Sequence, residues 1–489
     1  MKTLFVTSEL FPFNKTGGLG DVCAWLPRSL KKAGIDIRYL MPAFPSILQN
    51  FTELTQVAKF DNKFKAKEIN VYQGTMKGNS IKFYLVDAPE LFLRAGSPYS
   101  DVCGNPWGDN HIRYACFSWI ASQFATGKID NWTPDVIHVN DWMTALTPAY
   151  LEVLKRKDAN IKTASILTIH NLAFQGIYPF SVYEDLDLPN YMFNEDGIEF
   201  YRQISFLKAG ISFADKITAV SPSYAMEIQT NEYGCGLQSS LIKRKDAITG
   251  ILNGIDYSVW NPETDKLIKA NYSKNTLANK KINKEYLQQK AGILKNGKLP
   301  LFGVLNRFTE QKGMDILIEA IPAIMMNNIQ LVVMGTDQGN YLPRLQNIAK
   351  QYPEQFAVLD FDEDFSHQLI AGIDVLINPS RFEPCGLTQM FAMKYGTIPF
   401  ARRTGGLADT IIDANFQNTI VNNIATGFLF DNYSVHDFIY GINRVLNTFK
   451  NEKKIWENIK KQAMNQNFSW DKSAAEYIDL YNTQLNLIK

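Results

Sequence analysis

One acid stands alone in the stretch Asn378-Pro-Ser-Arg-Phe-Glu-Pro-Cys-Gly-Leu-Thr-Gln-Met390. Ile373 to Asn378, before it, is the short apolar run of a buried parallel strand, and Leu387 to Tyr395, after it, has helical spacing. Glu383 therefore falls in a loop between strand and helix. Proline is tolerated in the first turn of a helix, where its missing N–H has no intrahelical partner, so Pro384 is expected at or near the helix start. The free amides of Cys385, Gly386, Leu387 and Thr388, with a helix dipole behind them, then suit an anion such as a diphosphate. A carboxylate beside an anion cradle points to glycosyl or phosphoryl chemistry. Alone, the loop reads more simply as a capped helix with a surface glutamate.

A second glycine-rich loop, Lys15-Thr-Gly-Gly-Leu-Gly-Asp21, lies between the β-prone run Thr3 to Thr7 and the helical pattern Val22 to Ala33. Glycines at 17, 18 and 20 let a ligand approach the backbone, and Lys15 adds a positive charge. A nicotinamide-binding loop is the rival reading, but the spacing is not G-x-G-x-x-G and no acid ends a second strand at the usual interval. Arg307 and Lys312, in Asn306-Arg-Phe-Thr-Glu-Gln-Lys-Gly313, are two cations after a strand end, able to neutralise a diphosphate. Isolated surface cations are the plainer alternative. Asp141 and Trp142 follow another strand-like run, and His170 and Asn171 a third. His170 by itself also reads as a capping or core imidazole.

The elements that must position these residues are strands alternating with helices. Strand-like runs recur at Ile81 to Val86, Val136 to Val139, Ser165 to Ile169 and Lys216 to Val220, then at Leu301 to Leu305, Ile329 to Met334, Ala357 to Leu359 and Val375 to Ile377. This is the signature of α/β, doubly wound parallel sheets, which bind ligands outside the carboxyl ends of their strands. Between the two sets, Lys266 to Lys298 is lysine-rich and reads as a junction followed by exposed helices. The expected domains are residues 1–250, a hinge over 251–265, a second unit over 266–468, and a C-terminal helix over 469–489 packing back on the first.

Composition bounds the partners. The 489 residues exceed one core; 46% are apolar and 20% charged, an ordinary globular composition. With 50 basic against 49 acidic residues the net charge is +1, which gives no general attraction to nucleic acid or membrane. Cys23, Cys103, Cys116, Cys235 and Cys385 show no metal-type spacing, and five is an odd count, so a reducing cytoplasm is expected. Glu9 interrupts the N-terminal apolar run too early for a signal peptide, and no run approaches the ~18 apolar residues of a membrane span.

Taken together these loops resemble the bacterial glycogen synthases and plant starch synthases. The likeness runs end to end, through the Lys15 loop, Thr168-Ile-His-Asn-Leu-Ala-Phe-Gln-Gly176, Asn253-Gly-Ile-Asp256 with Trp260-Asn-Pro262, Arg307 with Gln311-Lys-Gly313, and the Glu383 stretch with Arg403-Thr-Gly-Gly-Leu-Ala-Asp409. The resemblance implies the GT-B fold, two Rossmann-like domains facing across a deep cleft, and retaining transfer of glucose from ADP-glucose to the 4-hydroxyl of an α-1,4-glucan. By it, Lys15, the Gly18 amide, Arg307 and Lys312 hold the diphosphate, Glu383 meets the donor glucose, and Cys385 to Thr388 bind hydroxyls and phosphate. His170 holds the glucose and lends its carbonyl or ring to developing positive charge, Asp21, Asp141, Asn171 and Asn253 serve the donor, and Phe361 lies against the nucleobase. Glu9 and Trp142 are the expected acceptor contacts. No cofactor and no metal are implied. Many relatives have histidine in place of Asn140 or Met143. Other GT-B nucleotide-sugar transferases and an inactive glycan-binding protein are the alternatives; a phosphorylase needs a pyridoxal phosphate lysine that no motif supplies.

Overall fold

Runs that are apolar at every position, not every second one, form the inner strands, as sheets covered on both faces require. The computed structural model describes residues 1–488, which divide into two units, Met1–Gly254 together with the stretch from Trp470, and Ile255–Ser469.

The first unit contains β1 (Lys2–Val6), β2 (Asp36–Pro42), β3 (Thr55–Lys63), β4 (Ala66–Thr75), β5 (Lys82–Asp87), β6 (Val136–Asn140), β7 (Ala164–Ile169), β8 (Ile177–Pro179), β9 (Glu199–Phe200), β10 (Gln203–Ser205), β11 (Lys216–Ala219) and β12 (Ile248–Gly250). Its main sheet has the order β12-β11-β7-β6-β1-β2-β5-β4-β3, and β8, β10 and β9 make a small separate sheet. Every residue of β6 and β7 is buried. The order runs one way from β1 to β2 and the other way from β6 to β7, so the switch point lies between β1 and β6. Pairing is parallel except at the edge, where β3 and β4 form an antiparallel hairpin and β4 pairs antiparallel with β5. That hairpin departs from the expected all-parallel sheet. It reads poorly in the sequence because its exposed positions dominate, with no residue of β3 buried.

The second unit holds β13 (Leu301–Leu305), β14 (Gln330–Gly335), β15 (Phe356–Asp360), β16 (Val375–Asn378), β17 (Ile398–Arg402) and β18 (Phe428–Phe430), all parallel in the order β15-β14-β13-β16-β17-β18. Alternate residues feed two cores. Val304, Val333, Ile377 and Phe400 enter one, and Leu305, Val332, Met334 and Leu376 the other. Here the switch point lies between β13 and β16.

Two expectations change. Of the segment 251–265, residues to Gly254 belong to the first unit and those from Ile255 to the second. There Trp260 is stacked between His367 (centroids 3.7 Å) and Phe391 (3.9 Å). The lysine-rich stretch is not all solvated: in the helix Lys280–Lys290, Lys280 is buried and donates to the Ala371 carbonyl (2.8 Å) and Thr397 Oγ1 (2.6 Å), while Lys284 pairs with Asp374 at 2.6 Å. Burial lowers the Lys280 ammonium to about 7.

The helix Trp470–Ile488 belongs to the first unit. Ala474, Tyr477 and Tyr481 are buried along one face, Ser473 Oγ donates to the Leu252 carbonyl (2.6 Å), and Tyr481 Oη lies 2.6 Å from His138 Nδ1 in β6. His138 Nε2 meets Thr168 Oγ1 of β7, also at 2.6 Å.

Candidate functional site

In the second unit, Arg307 and Lys312 follow β13 and Glu383 follows β16, the two strands that flank the switch point. Lys312 Nζ is 2.6 Å from Glu383 Oε2, with side chains only 14% and 10% exposed, and Ser380 Oγ donates to the same oxygen (3.1 Å). An ion pair so shielded from water interacts more strongly than a surface pair. Arg307, half-buried, makes no ion pair with another described residue. Phe361 leaves the end of the edge strand β15 with 48% of its surface exposed, open to stacking.

The Glu383 loop is fixed by close backbone packing. Gly313 adopts φ 73°, and a Cβ there would stand 2.1 Å from the Pro379 carbonyl oxygen. In the short helix Gly405–Thr410, a Cβ on Gly405 would meet the Glu383 carbonyl oxygen at 2.0 Å, and one on Gly406 the Cys385 carbonyl oxygen at 2.0 Å. The Gly406 amide donates to the Glu383 carbonyl (3.0 Å). So the glycines of the Arg403 motif brace this loop, a role their sequence did not declare. The helix start differs from expectation. It runs Thr388–Lys394, seven residues, so Pro384 lies in the loop before it. Gly386, at φ 71°, turns the chain between them, and the amides of Cys385, Gly386 and Leu387 belong to that turn, leaving Thr388 as the first helical residue.

In the first unit the Lys15 loop follows β1 and Asp141 and Trp142 follow β6, the strands that flank the switch point, while His170 and Asn171 follow the neighbouring β7. The helix Gly18–Lys32 starts without a side-chain cap, so its first amides are open to an anion. A Cβ on Gly17 or Gly18 would meet nothing within 4 Å. No protein group demands glycine there. Lys15 Nζ pairs with Asp21 at 3.0 Å, bringing together two residues expected to serve different parts of a donor.

Glu9, expected as an acceptor contact, is 3% exposed. Its Oε2 accepts from the amides of Thr16 (2.8 Å) and Gly17 (3.4 Å), and Oε1 accepts from Tyr99 Oη (2.5 Å). It staples the glycine loop instead, and burial lifts its carboxyl above the usual range against the pull of these bonds. Tyr99 carries no signal in the sequence, since it lies in an irregular stretch with no motif around it. Trp142 packs edge-on to Tyr114 (4.9 Å), over Gly176, where a Cβ would come within 2.5 Å of the indole.

Asp141, at φ 55°, turns the chain so that Oδ1 accepts from the His170 amide (2.7 Å) and more weakly from Asn171 (3.4 Å). Burial raises its carboxyl to about 7 despite these bonds and lowers the His170 imidazole to about 3, so the ring is neutral at physiological pH. Asn171 Oδ1 accepts from the Ala173 amide (3.1 Å). Asn253 is buried with Oδ1 unpartnered among the described residues, an acceptor in want of a donor. Among the described residues no group of three or more His, Cys, Asp or Glu could hold a metal ion, and no helix is long and apolar enough to cross a membrane.

Comparison with known proteins gives the family and the fold. Residues 2–243 match the family model of the starch synthase catalytic domain, and residues 286–462 that of group 1 glycosyl transferases. The chain is 42% identical over 491 aligned positions to a glycogen synthase of Francisella tularensis subsp. novicida, covering 100% of this chain and 99% of that protein. A second, from subspecies holarctica, is 42% identical over 483 positions, 98% of each. Among solved structures, the catalytic domain of Arabidopsis thaliana starch synthase IV, bound to ADP and acarbose, superposes with a TM-score of 0.87 at 30% identity, covering 99% of both chains. Sucrose-phosphate synthase of Thermosynechococcus elongatus, at 16% identity and TM-score 0.59, shares the fold.

Proposed function

The chain belongs to the glycogen synthase and starch synthase family, and from that membership we propose that it transfers glucose from ADP-glucose to the non-reducing 4-hydroxyl of an α-1,4-glucan, with retention of configuration. It is a glycosyltransferase of the GT-B fold, with two Rossmann-like, doubly wound units. The observation that carries the proposal is the shielded Lys312–Glu383 pair at the end of β16. It joins one fixed cation, suited to a departing diphosphate, to one carboxylate, suited to the positive charge that develops on a glucosyl carbon.

Each unit takes its own share. In the second, Arg307 and Lys312 neutralise diphosphate charge, Glu383 faces the donor sugar, the amides from Cys385 to Thr388 take hydroxyls or phosphate, and Phe361 stacks on the base. In the first, Lys15 and the Gly18 amide take phosphate, Asp21, Asp141, Asn171 and Asn253 orient hydroxyls, His170 holds the hexose and Trp142 meets the acceptor. The leaving phosphate takes the acceptor proton on the same face of the sugar, so no protein nucleophile is required. Fixed cations supply the charge neutralisation for which other transferases use a metal.

The test is incubation of the purified protein with glycogen and ADP-glucose or UDP-glucose, following glucose incorporation with and without EDTA. Expected are incorporation unaffected by EDTA and a kcat/KM for ADP-glucose at least about tenfold above that for UDP-glucose. Phe361→Ala should narrow the gap, because a purine covers the exposed ring more fully than a pyrimidine. No incorporation from either donor rejects the proposal; a preference for UDP-glucose rejects its donor base.

A further inference from the structure

We propose that Asn140 is a positioning residue that fixes the imidazole of His170 as a single neutral tautomer, with the proton on Nε2 and a bare acceptor lone pair on Nδ1. The assignment deepens the function proposed above and rests on it for the use to which His170 is put.

Asn140 closes β6, and its side chain spans two neighbours. Its Nδ2 donates to the Val6 carbonyl at 3.0 Å, and its Oδ1 lies 2.9 Å from His170 Nε2. A main-chain carbonyl only accepts, so the amide is oriented with nitrogen towards Val6 and oxygen towards His170. The amide oxygen in turn only accepts, so Nε2 must carry the hydrogen. A buried imidazole this strongly disfavoured as a cation carries one proton, and Nδ1 is left without one. Nδ1 has no hydrogen bond to any described residue.

The main chain of His170 is held separately, its amide donating to Asp141 Oδ1. Consecutive residues thus grip the histidine twice, Asn140 at the ring and Asp141 at the backbone. Asn140 is itself immobilised: it is 1% exposed, its main-chain N–H donates to Thr144 Oγ1 (2.6 Å), and that hydroxyl returns a bond to its main-chain carbonyl (2.8 Å). A histidine so fixed accepts a hydrogen bond from a sugar hydroxyl and cannot donate one. The opposite tautomer would confront that hydroxyl with an N–H and leave the Asn140 oxygen buried against a lone pair.

The tautomer is read directly in protein carrying 15N-labelled histidine, with the His170 signals assigned by their absence from His170→Gln. Expected are a pyrrole-type Nε2 and a pyridine-type Nδ1 in the substrate-free parent. Asn140→Leu should convert this to a tautomer mixture and lower kcat/KM at least about tenfold. Asn140→His keeps one donor and one acceptor nitrogen, so it should restore the single tautomer and most of the activity lost in the leucine variant. A protonated Nδ1 in the parent overturns the assignment, whatever the variants do. So does an Asn140→Leu protein that keeps the parental tautomer and rate. Because the spectra need no substrate, a parent that transfers no glucose counts against the proposed reaction and leaves the tautomer to be judged on its own signal.

Discussion

Glu383 accepts from Lys312 and from Ser380 at one oxygen, so its carboxylate is oriented before any ligand arrives. Glu383→Gln keeps the shape and removes the charge. We expect at least about a hundredfold loss of kcat with the fold retained; a variant within about tenfold of the parent, a barrier change of only ~1.4 kcal/mol, would remove the carboxylate from the chemistry. Lys312→Ala is a poorer probe, since it strands a nearly buried carboxylate and acts on stability as well as rate. Asp141 gives a prediction of a different kind. Its carboxyl sits at about 7 against an ordinary 3.8, so the folded chain holds the proton more tightly than the unfolded one. The stability this contributes is complete below pH ~4 and is lost as pH rises through 7. Asp141→Asn should therefore raise the thermal midpoint at pH 8 by at least about 3 °C relative to its effect at pH 5. Buried His138 and His170, both lowered to about 3, slope the other way: their contribution is present above pH ~6.5 and fades towards 3. Differencing variant against parent isolates the aspartate, and an equal effect at both pH values would contradict its burial-driven shift.

Two glycine-bearing elements answer to different masters. At Gly18 the helix start is open space, so Gly18→Ala should leave the thermal midpoint unchanged or higher, alanine being the better helix former, while KM for the donor rises. At Gly406 the added methyl would collide with the Cys385 carbonyl, so Gly406→Ala should lose both stability and at least about tenfold in kcat/KM. Unchanged donor KM in the first variant would deny the loop a ligand; parental activity in the second would show that the brace is not needed. The sequence made the inner strands and the motif loops legible because fully buried parallel strands are continuous apolar runs that end in polar punctuation. It hid the β3–β4 hairpin, whose half-solvated residues carry no such run, and it hid the reason for Gly405 and Gly406. That reason is a contact across about twenty residues of chain, which no local spacing encodes. Buried Lys280 and Lys284 were concealed for the same cause: a lysine reads as surface until its carbonyl partners in other elements are known.

At the scale of the molecule, the second unit is one continuous segment, whereas the first is completed by a helix from beyond it. Tyr477 and Tyr481 are fully buried there, and Tyr481 satisfies His138, which lies two residues before Asn140 on the same strand. Residues 255–469 produced alone should therefore fold cooperatively. Residues 1–254 should not, unless a peptide spanning 470–488 is supplied; cooperative unfolding of 1–254 without it would show the helix to be dispensable. Tyr481→Phe, which leaves the buried Nδ1 without its hydroxyl, should destabilise the whole chain by about 1–3 kcal/mol. The same arrangement sets an order of manufacture. On a ribosome, the segment that will form the first sheet emerges early, yet its closing helix follows only after roughly 200 further residues, a delay of about 10–40 s at ordinary elongation rates. Throughout that interval the face that Tyr477 and Tyr481 will cover is open and His138 Nδ1 lacks its hydroxyl partner, so the nascent first unit is expected to engage chaperones while the second is free to fold behind it. A chain cut short anywhere within the second unit therefore lacks the helix that completes the first.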